Sequence, residues 1–261
     1  MTRVDSMAFA LPDADLLCAR AAAVNFDPHM HGTYSVVVVM RGTAHIQSSR
    51  WAETVRSGDV FFFNPFEVHA GQSAGRSAQY YVLYPSEAFV DSCSGAVRPG
   101  QVRTILTDVL RGGQAANELV GAVAAPVVDN ALVERALRRV LRECRFAIET
   151  PSTASRSITR AVCELIEQDC LSSTRTADLA RVIGVNPSHL VRSFRRTLGI
   201  PPQTYLRQAR VARAQELIRA GFGLSDVAQM ARFSDQPHLT REFKKVFGVP
   251  PGVLSRVVSR G

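Results

Sequence analysis

The chain has 261 residues, 46% of them hydrophobic, and a formal net charge of +8, which is enough chain for two domains with apolar cores. Its five cysteines show no C-x-x-C spacing and predict reduced cytosolic thiols rather than a disulfide framework. No apolar run approaches the roughly 18 residues of a membrane span, and no signal-peptide pattern is present, so we expect a cytoplasmic protein without a membrane partner.

The basic charge is concentrated in the C-terminal half. Residues 151–261 contain 17 Lys and Arg against 8 Asp and Glu, whereas residues 1–150 contain 14 against 15. A basic half beside a nearly neutral one is the electrostatic pattern of a nucleic-acid-binding protein.

Strands are predicted in the N-terminal half from Tyr34 onward. The runs rich in β-branched and aromatic residues lie at 35–40, 44–47, 60–63 and 79–84. Turn residues such as Gly42 and Asn64 separate them. Short strands at this spacing indicate a β-sandwich or a barrel.

A helix is predicted next, from Asp129 or Asn130 to about Glu149. Its apolar residues recur every three or four positions and form one stripe: Val133, Leu137, Val140, Cys144 and Ile148. The stripe has two interpretations, packing on the chain's own barrel or a dimer contact. A short polar linker at 150–155 then marks a domain boundary.

An internal repeat occupies the C-terminal half. Residues 189–202 read HLVRSFRRTLGIPP, and residues 238–251 read HLTREFKKVFGVPP. Two copies are too few for a solenoid, so we interpret them as two similar supersecondary units.

Each unit is predicted to be a helix-turn-helix, at about 176–198 and 225–247. In the first unit Gly184 ends one helix, and Asn186 and Pro187 begin the next, at positions where these residue types are favoured. In the second unit Asp235 takes the role of the cap. The apolar residues of each second helix share one face, which leaves a polar and basic outer face. An ordinary bundle with solvated faces is the alternative, but two units in register, with basic residues at the same outward positions, disfavour it.

The sequence resembles the AraC/XylS-type transcription regulators. The resemblance rests on residues 179–194, 205–218 and 233–251. It implies a DNA-binding domain of seven helices in which one long helix, 203–220, holds the two units. The segments HMHGTY at 29–34 and GDVFFFNPFEVH at 58–69 resemble the cupin-like effector domain that often precedes this half in the family.

These features predict an α+β multidomain protein. We expect a cupin-like, effector-binding β-barrel with following helices at 1–127, a linker or dimerisation helix at 128–150, and an all-α DNA-binding domain at 151–261. The resemblance also implies a cytoplasmic, nucleoid-associated homodimer. Its partners would be double-stranded promoter DNA, RNA polymerase and a small-molecule effector.

DNA contacts are expected on the second helix of each unit. Base readers are expected towards the N-terminal ends: Ser188, His189, Val191, Arg192, Gln236, Pro237, His238, Thr240 and Arg241. Phosphate contacts are expected further along: Arg195, Arg196, Lys244 and Lys245. For the two histidines, a boundary contact with the neighbouring helix is an equal alternative.

Six polar residues are candidates for the mouth or wall of a pocket for a small polar effector: His29, His31, Tyr34, Asn64, Glu67 and His69. The alternative is that the asparagine only forms a turn and the histidines only satisfy backbone groups. The H-x-H spacing suits two metal ligands from one strand. The carboxylate that metal cupins carry a few residues later is replaced by an apolar run at 36–40, so neither a metal, another cofactor nor catalysis is predicted.

Two other function classes stay open at this stage. One is a metal-dependent cupin enzyme, or a metal sensor, joined to a DNA-binding domain. The other is an effector-free regulator whose barrel only dimerises.

One position departs from the repeat. Arg232 stands where the first unit has Gly184, and the family usually has glycine there. If the turn keeps a left-handed backbone, arginine costs about 1–2 kcal/mol relative to glycine. We therefore expect Arg232→Gly to raise thermal stability without weakening DNA binding.

Overall fold

The computed structural model describes residues 8–10, 16–23, 25–75, 78–95, 97–98, 101–149, 157–172 and 175–258. The predicted linker at 150–155 lies outside these residues. The strands are β1 Ala8–Ala10, β2 Leu16–Ala23, β3 Asn25–His29, β4 Ser35–Arg41, β5 Thr43–Ser48, β6 Ala52–Arg56, β7 Val60–Phe63, β8 His69–Ser73, β9 Ala78–Pro85, β10 Val102–Ile105, β11 Val109–Leu110 and β12 Phe146–Glu149. The helices are α1 Glu87–Ser94, α2 Gly113–Ala124, α3 Asn130–Glu143, α4 Ile158–Gln168, α5 Thr176–Ile183, α6 Pro187–Leu198, α7 Pro202–Arg219, α8 Leu224–Met230, α9 Gln236–Phe247 and α10 Pro251–Val258.

The N-terminal part is built from antiparallel sheets, as the α+β prediction requires. A six-stranded sheet has the order β1-β2-β9-β4-β7-β11, and a four-stranded sheet has the order β3-β8-β5-β6. The strands β10 and β12 form a separate pair. Strands β4 and β7 of the larger sheet are buried on both faces, which explains why they are continuous apolar runs rather than alternating ones.

The two faces of the larger sheet have different partners. Val37 and Val39 of β4 belong to the core between the sheets. Val36 and Val38 belong to a second core, in which helices α1, α2 and α3 cover the outer face. Successive side chains of a strand point to opposite faces, so one run of valines serves both cores.

The helix α3 differs from its prediction in length and in role. It ends at Glu143, and residues 146–149 form β12 instead of a further turn, because their backbone pairs with β10. Four stripe residues are buried within the chain: Val133, Leu137, Val140 and Cys144. The structure therefore favours packing on the chain's own sheet over a dimer contact through this stripe, and only Ile148, in β12, is exposed.

The C-terminal part is helical and contains both predicted units. Gly184 ends α5 with φ 74°, and Asn186 caps α6 by accepting from the Ser188 amide at 2.8 Å. Asp235 caps α9 by accepting from the His238 amide at 2.6 Å. Local capping groups fix both helix pairs, which is why the sequence located them.

The backbone at Arg232 is left-handed, with φ 61°. The Phe233 amide donates to the Ala228 carbonyl at 2.8 Å, which matches the 2.9 Å bond from Val185 to Ala180 in the first unit. The two turns therefore have the same geometry, and the arginine adopts a conformation that favours glycine.

The long helix α7 lies between the two units and the barrel. It starts and ends within one residue of the prediction and is buried around most of its circumference. A Cβ added to Gly32 would lie 2.5 Å from the Cβ of Ala212, so the loop after β3 approaches this helix closely. None of the helices in the described ranges has both the length and the apolarity to cross a membrane.

Candidate effector cavity and DNA-binding face

The second helix of each unit, α6 or α9, is called its recognition helix below. The first of them, α6, presents a solvent-exposed basic face. Leu190 and Phe194 point into the core of the unit. The predicted contact residues lie on the opposite side and are exposed, apart from the half-buried Val191: Ser188, His189, Arg192, Arg195 and Arg196. The helix begins at a proline after an asparagine cap, so its N-terminal end is held in a defined geometry.

The second recognition helix, α9, presents a similar face. Its predicted contact residues are exposed at five positions: Gln236, Pro237, Arg241, Lys244 and Lys245. Thr240 and His238 are half-buried. The imidazole of His238 lies 3.1 Å from the Ser234 hydroxyl and contacts the edge of the Phe233 ring. Both contacts lie within the turn that precedes α9.

A cavity of about 760 Å³ lies between the two sheets and reaches helices α7 and α9. Its apolar walls come mainly from alternate strand residues: Phe26, Val37, Val39, Ile46, Val55, Phe61, Phe63, Tyr80, Val82 and Tyr84. The volume and the apolar lining are those of a small-molecule site.

The two recognition helices differ in their relation to this cavity. Arg241, Lys244 and Lys245 of α9 line it, whereas no residue of α6 does. Glu242 lies among them and forms ion pairs with Lys245 at 2.7 Å and with Arg207 at 3.7 Å. One end of the cavity therefore carries more positive than negative charge.

Three of the six predicted pocket residues lie together on the cavity wall: His29, His31 and His69. His29 and His69 are direct partners across β3 and β8, and His31 follows two residues later on the same side of the chain. Burial lowers the pKa of all three imidazoles, and the pKa of His31 and His69 lies well below the ordinary range of histidine. They are therefore neutral near pH 7.

The other three predicted pocket residues are not part of the wall, which corrects the prediction. Tyr34 belongs to the outer core and donates to the Arg103 carbonyl at 2.8 Å. Asn64 exchanges hydrogen bonds with the backbone of Ile105 at 2.7 and 3.2 Å. Glu67 accepts from the amide and the side chain of that asparagine at 3.0 and 3.1 Å. Apart from Oε1 of Glu67, the buried polar groups of these side chains are already used in hydrogen bonds within the chain.

Contacts between the barrel and the DNA-binding part are a feature that the sequence did not predict. The Nε2 of His31 lies 3.2 Å from the Val246 carbonyl oxygen of α9, and its ring stacks on Phe247. Gln208 of α7 donates to the Pro28 carbonyl at 3.3 Å. The end of the second recognition helix is therefore docked on the cavity wall.

Two helix-turn-helix units with exposed basic recognition helices, joined to a sheet domain with an apolar cavity, define a DNA-binding transcription regulator with a ligand-binding domain. Comparison with known proteins supports this class. A family model described as AraC-like ligand binding domain matches residues 11–143, and one described as helix-turn-helix domain matches residues 179–256. The chain belongs to the AraC family of transcription regulators.

Individual relatives agree with this assignment. The chain is 24% identical over 222 residues to YbfI, an uncharacterized HTH-type transcriptional regulator of Bacillus subtilis strain 168. The alignment covers 81% of this chain and 80% of that protein. It shares the fold of ToxT from Vibrio cholerae strain SCE256, solved with an unsaturated fatty acid bound. The TM-score is 0.51 and the identity 14%, with 90% of this chain and 93% of that chain covered.

Proposed function

We propose that α6 and α9 bind promoter DNA in successive major grooves and that an amphipathic acid in the cavity controls this binding. The residues expected to read bases are Ser188, His189, Val191, Arg192, Gln236, Pro237, His238, Thr240 and Arg241. Those expected to contact phosphates are Arg195, Arg196, Lys244 and Lys245. The exposure of most of these side chains supports the proposal.

The chemistry of the cavity supports an amphipathic acid as the effector. Its apolar walls suit a hydrocarbon chain, and the cationic side chains at α9 suit a carboxylate. The unsaturated fatty acid in the ToxT structure supports the same class of ligand. A cavity of this size also weighs against an effector-free barrel.

One observation carries the proposed control: Arg241, Lys244 and Lys245 line the cavity and also lie on the outer face of the second recognition helix. A cation paired with the carboxylate of a bound acid is not free to contact a DNA phosphate at the same time. The acid and the DNA therefore weaken each other's binding, by the same factor in both directions. For couplings of the usual size this factor is about 5–150.

The test is a fluorescence-anisotropy titration of the intact chain with a DNA fragment selected by that chain from random sequence. Oleate, below its micelle concentration, should raise the Kd for DNA at least about fivefold. Methyl oleate has the same chain without the charge and should leave the Kd unchanged. Equal effects of the acid and the ester, or no effect of either, would overturn the proposed control by an acid.

The repeat offers a matched pair of variants for this test. Arg195 of α6 and Lys244 of α9 occupy the same position in the two units, but only the lysine lines the cavity. Both alanine variants should bind DNA more weakly. Oleate should still raise the Kd of Arg195→Ala, whereas Lys244→Ala should respond much less. Identical responses of the two variants would contradict the role of α9.

The remaining partners are part of the same proposal. We infer that the chain acts as a homodimer on promoter DNA in the cytoplasm, associated with the nucleoid, and contacts RNA polymerase there. We also infer that it regulates transcription and does not catalyse a reaction. Light scattering of the intact chain at micromolar concentration tests the dimer, since a monomer mass with and without DNA would contradict it.

A further inference from the structure

The three clustered histidines have a use beyond lining the cavity. We propose that His29, His31 and His69 form a binding site for a divalent transition-metal ion, with the remaining coordination positions open to the cavity. Three protein ligands and an open position are a common arrangement for zinc and related ions, so the missing carboxylate does not exclude one. This proposal departs from the expectation, based on sequence, that no metal is bound.

The spacing of the three rings fits such an ion. Their centroids are 4.4 to 4.9 Å apart, and each ring brings a nitrogen within 4.8 Å of the other two. An imidazole bound at a metal–nitrogen distance of about 2.1 Å has its centroid about 3.2 Å from the ion, so two such rings at the tetrahedral angle of zinc have centroids about 5.2 Å apart, slightly more than the rings have here. Small rotations of the rings therefore complete the site.

Each imidazole already has one nitrogen fixed by a backbone carbonyl. The Nδ1 of His29 donates to the Asp27 carbonyl at 2.8 Å, and the Nδ1 of His69 donates to the Glu67 carbonyl at 2.8 Å. Because a carbonyl oxygen only accepts, these nitrogens carry the proton and each Nε2 keeps a free lone pair. Histidine ligands of metals are usually held in this way.

The third imidazole links the site to the recognition helix. The Nε2 of His31 donates to the Val246 carbonyl of α9 at 3.2 Å, which leaves Nδ1 as the nitrogen with the lone pair. Nδ1 now lies 3.0 Å from the Ser35 hydroxyl, which has to rotate away when an ion binds. A bound ion makes the opposite N–H a stronger donor, so it strengthens the contact with Val246 and favours the docked position of α9.

The orientation of the rings also favours an ion. The ring of His69 stacks on Phe63 with centroids 3.7 Å apart, which limits its rotation. Both His31 and His69 are only 3% exposed, so their side chains are held by the surrounding core. Preorganised imidazoles suit ions such as Zn²⁺, Co²⁺ and Fe²⁺.

The test uses the intact, untagged chain stripped with a chelator and then titrated with Co²⁺ and with Zn²⁺. We expect one ion per chain, visible d–d absorption bands for Co²⁺, and displacement of Co²⁺ by Zn²⁺. His69→Ala and His29→Asn should each weaken binding by at least about 100-fold, more than a loss of an outer partner would. His45→Ala, which removes an exposed histidine outside the cluster, should bind as the parent does.

Two histidine variants are used because a buried substitution can impair folding. Thermal melting without metal identifies any variant that fails to fold, and His29 is only half-buried. Absence of Co²⁺ bands in the parent chain, or equal affinity in parent and cluster variants, would overturn the metal site.

The link to α9 has its own readout. Zn²⁺ should change the Kd for DNA at least about fivefold, and a chelator should reverse the change. Zn²⁺ binding without a change in DNA affinity would overturn this link. These measurements need no fatty acid, so their failure is distinguishable from failure of the proposed acid effector.

Discussion

The left-handed turn at Arg232 gives a quantitative prediction for stability. The arginine has φ 61°, while Gly184 at the matching position of the first unit has φ 74°. A side chain with a Cβ costs about 1–2 kcal/mol in this conformation. Removing this cost stabilises the fold, but glycine also gives the unfolded chain more conformational freedom, which offsets about 0.5–1 kcal/mol of the stabilisation. Arg232→Gly should therefore stabilise the fold by about 0.5–1 kcal/mol.

Thermal melting of the intact chain measures this change. For a chain of this size about 1 kcal/mol corresponds to 2–4 °C, so the Tm should rise by about 1–4 °C. The arginine is exposed and outside the predicted DNA contacts, so the affinity for DNA should stay the same.

Two control variants separate the backbone from the charge. Arg232→Ala removes the guanidinium but keeps the Cβ, so its Tm should hardly change. Gly184→Ala makes the reciprocal change, and because a Cβ there would meet nothing within 4 Å, its expected loss of stability comes from the backbone alone. A fall in Tm for Arg232→Gly, with no fall for Arg232→Ala, would refute the reasoning.

Three further predictions concern the core, the domain contact and the DNA face. Asn64→Ala should cost about 2–4 kcal/mol in a urea melt, because it leaves buried backbone groups unpaired, and a changed ligand affinity at unchanged stability would contradict its structural role. Gly32→Ala should lower the Tm because its Cβ would clash with α7, whereas Gly75→Ala, which meets nothing within 4 Å, should not. Arg241→Ala should cost about 1–3 kcal/mol of DNA binding and relax specificity at one base pair, while Lys244→Ala should weaken all sequences alike. Identical binding profiles of the last two would show that base and phosphate contacts were assigned wrongly.

Local signals made the C-terminal part predictable. The caps at Asn186 and Asp235 and the left-handed glycines at 184, 199 and 248 lie where the repeat indicated. Each of these signals acts within a few residues of its position in the chain. The helix α7, which the family resemblance placed at 203–220, lies within one residue of those bounds at both ends.

Contacts between distant residues limited the rest. The predicted apolar stripe of α3 extends to Ile148, but the helix ends at Glu143 because residues 146–149 pair with β10. Asn64 was expected in the pocket, and its partner Ile105 lies 41 residues away. The carbonyl that His31 contacts is 215 residues away. Composition and spacing carry no signal of these pairings.

Selection of genomic fragments by the intact chain tests the central claim of DNA recognition most directly. The chain is incubated at low salt with a pool of promoter fragments, and the retained DNA is sequenced with and without excess competitor DNA. We expect one recurrent motif, with two conserved segments about one helical turn apart, as two recognition helices in successive major grooves require. Recovery of DNA without an enriched motif, or no recovery at all, would contradict sequence-specific binding by the paired helix-turn-helix units.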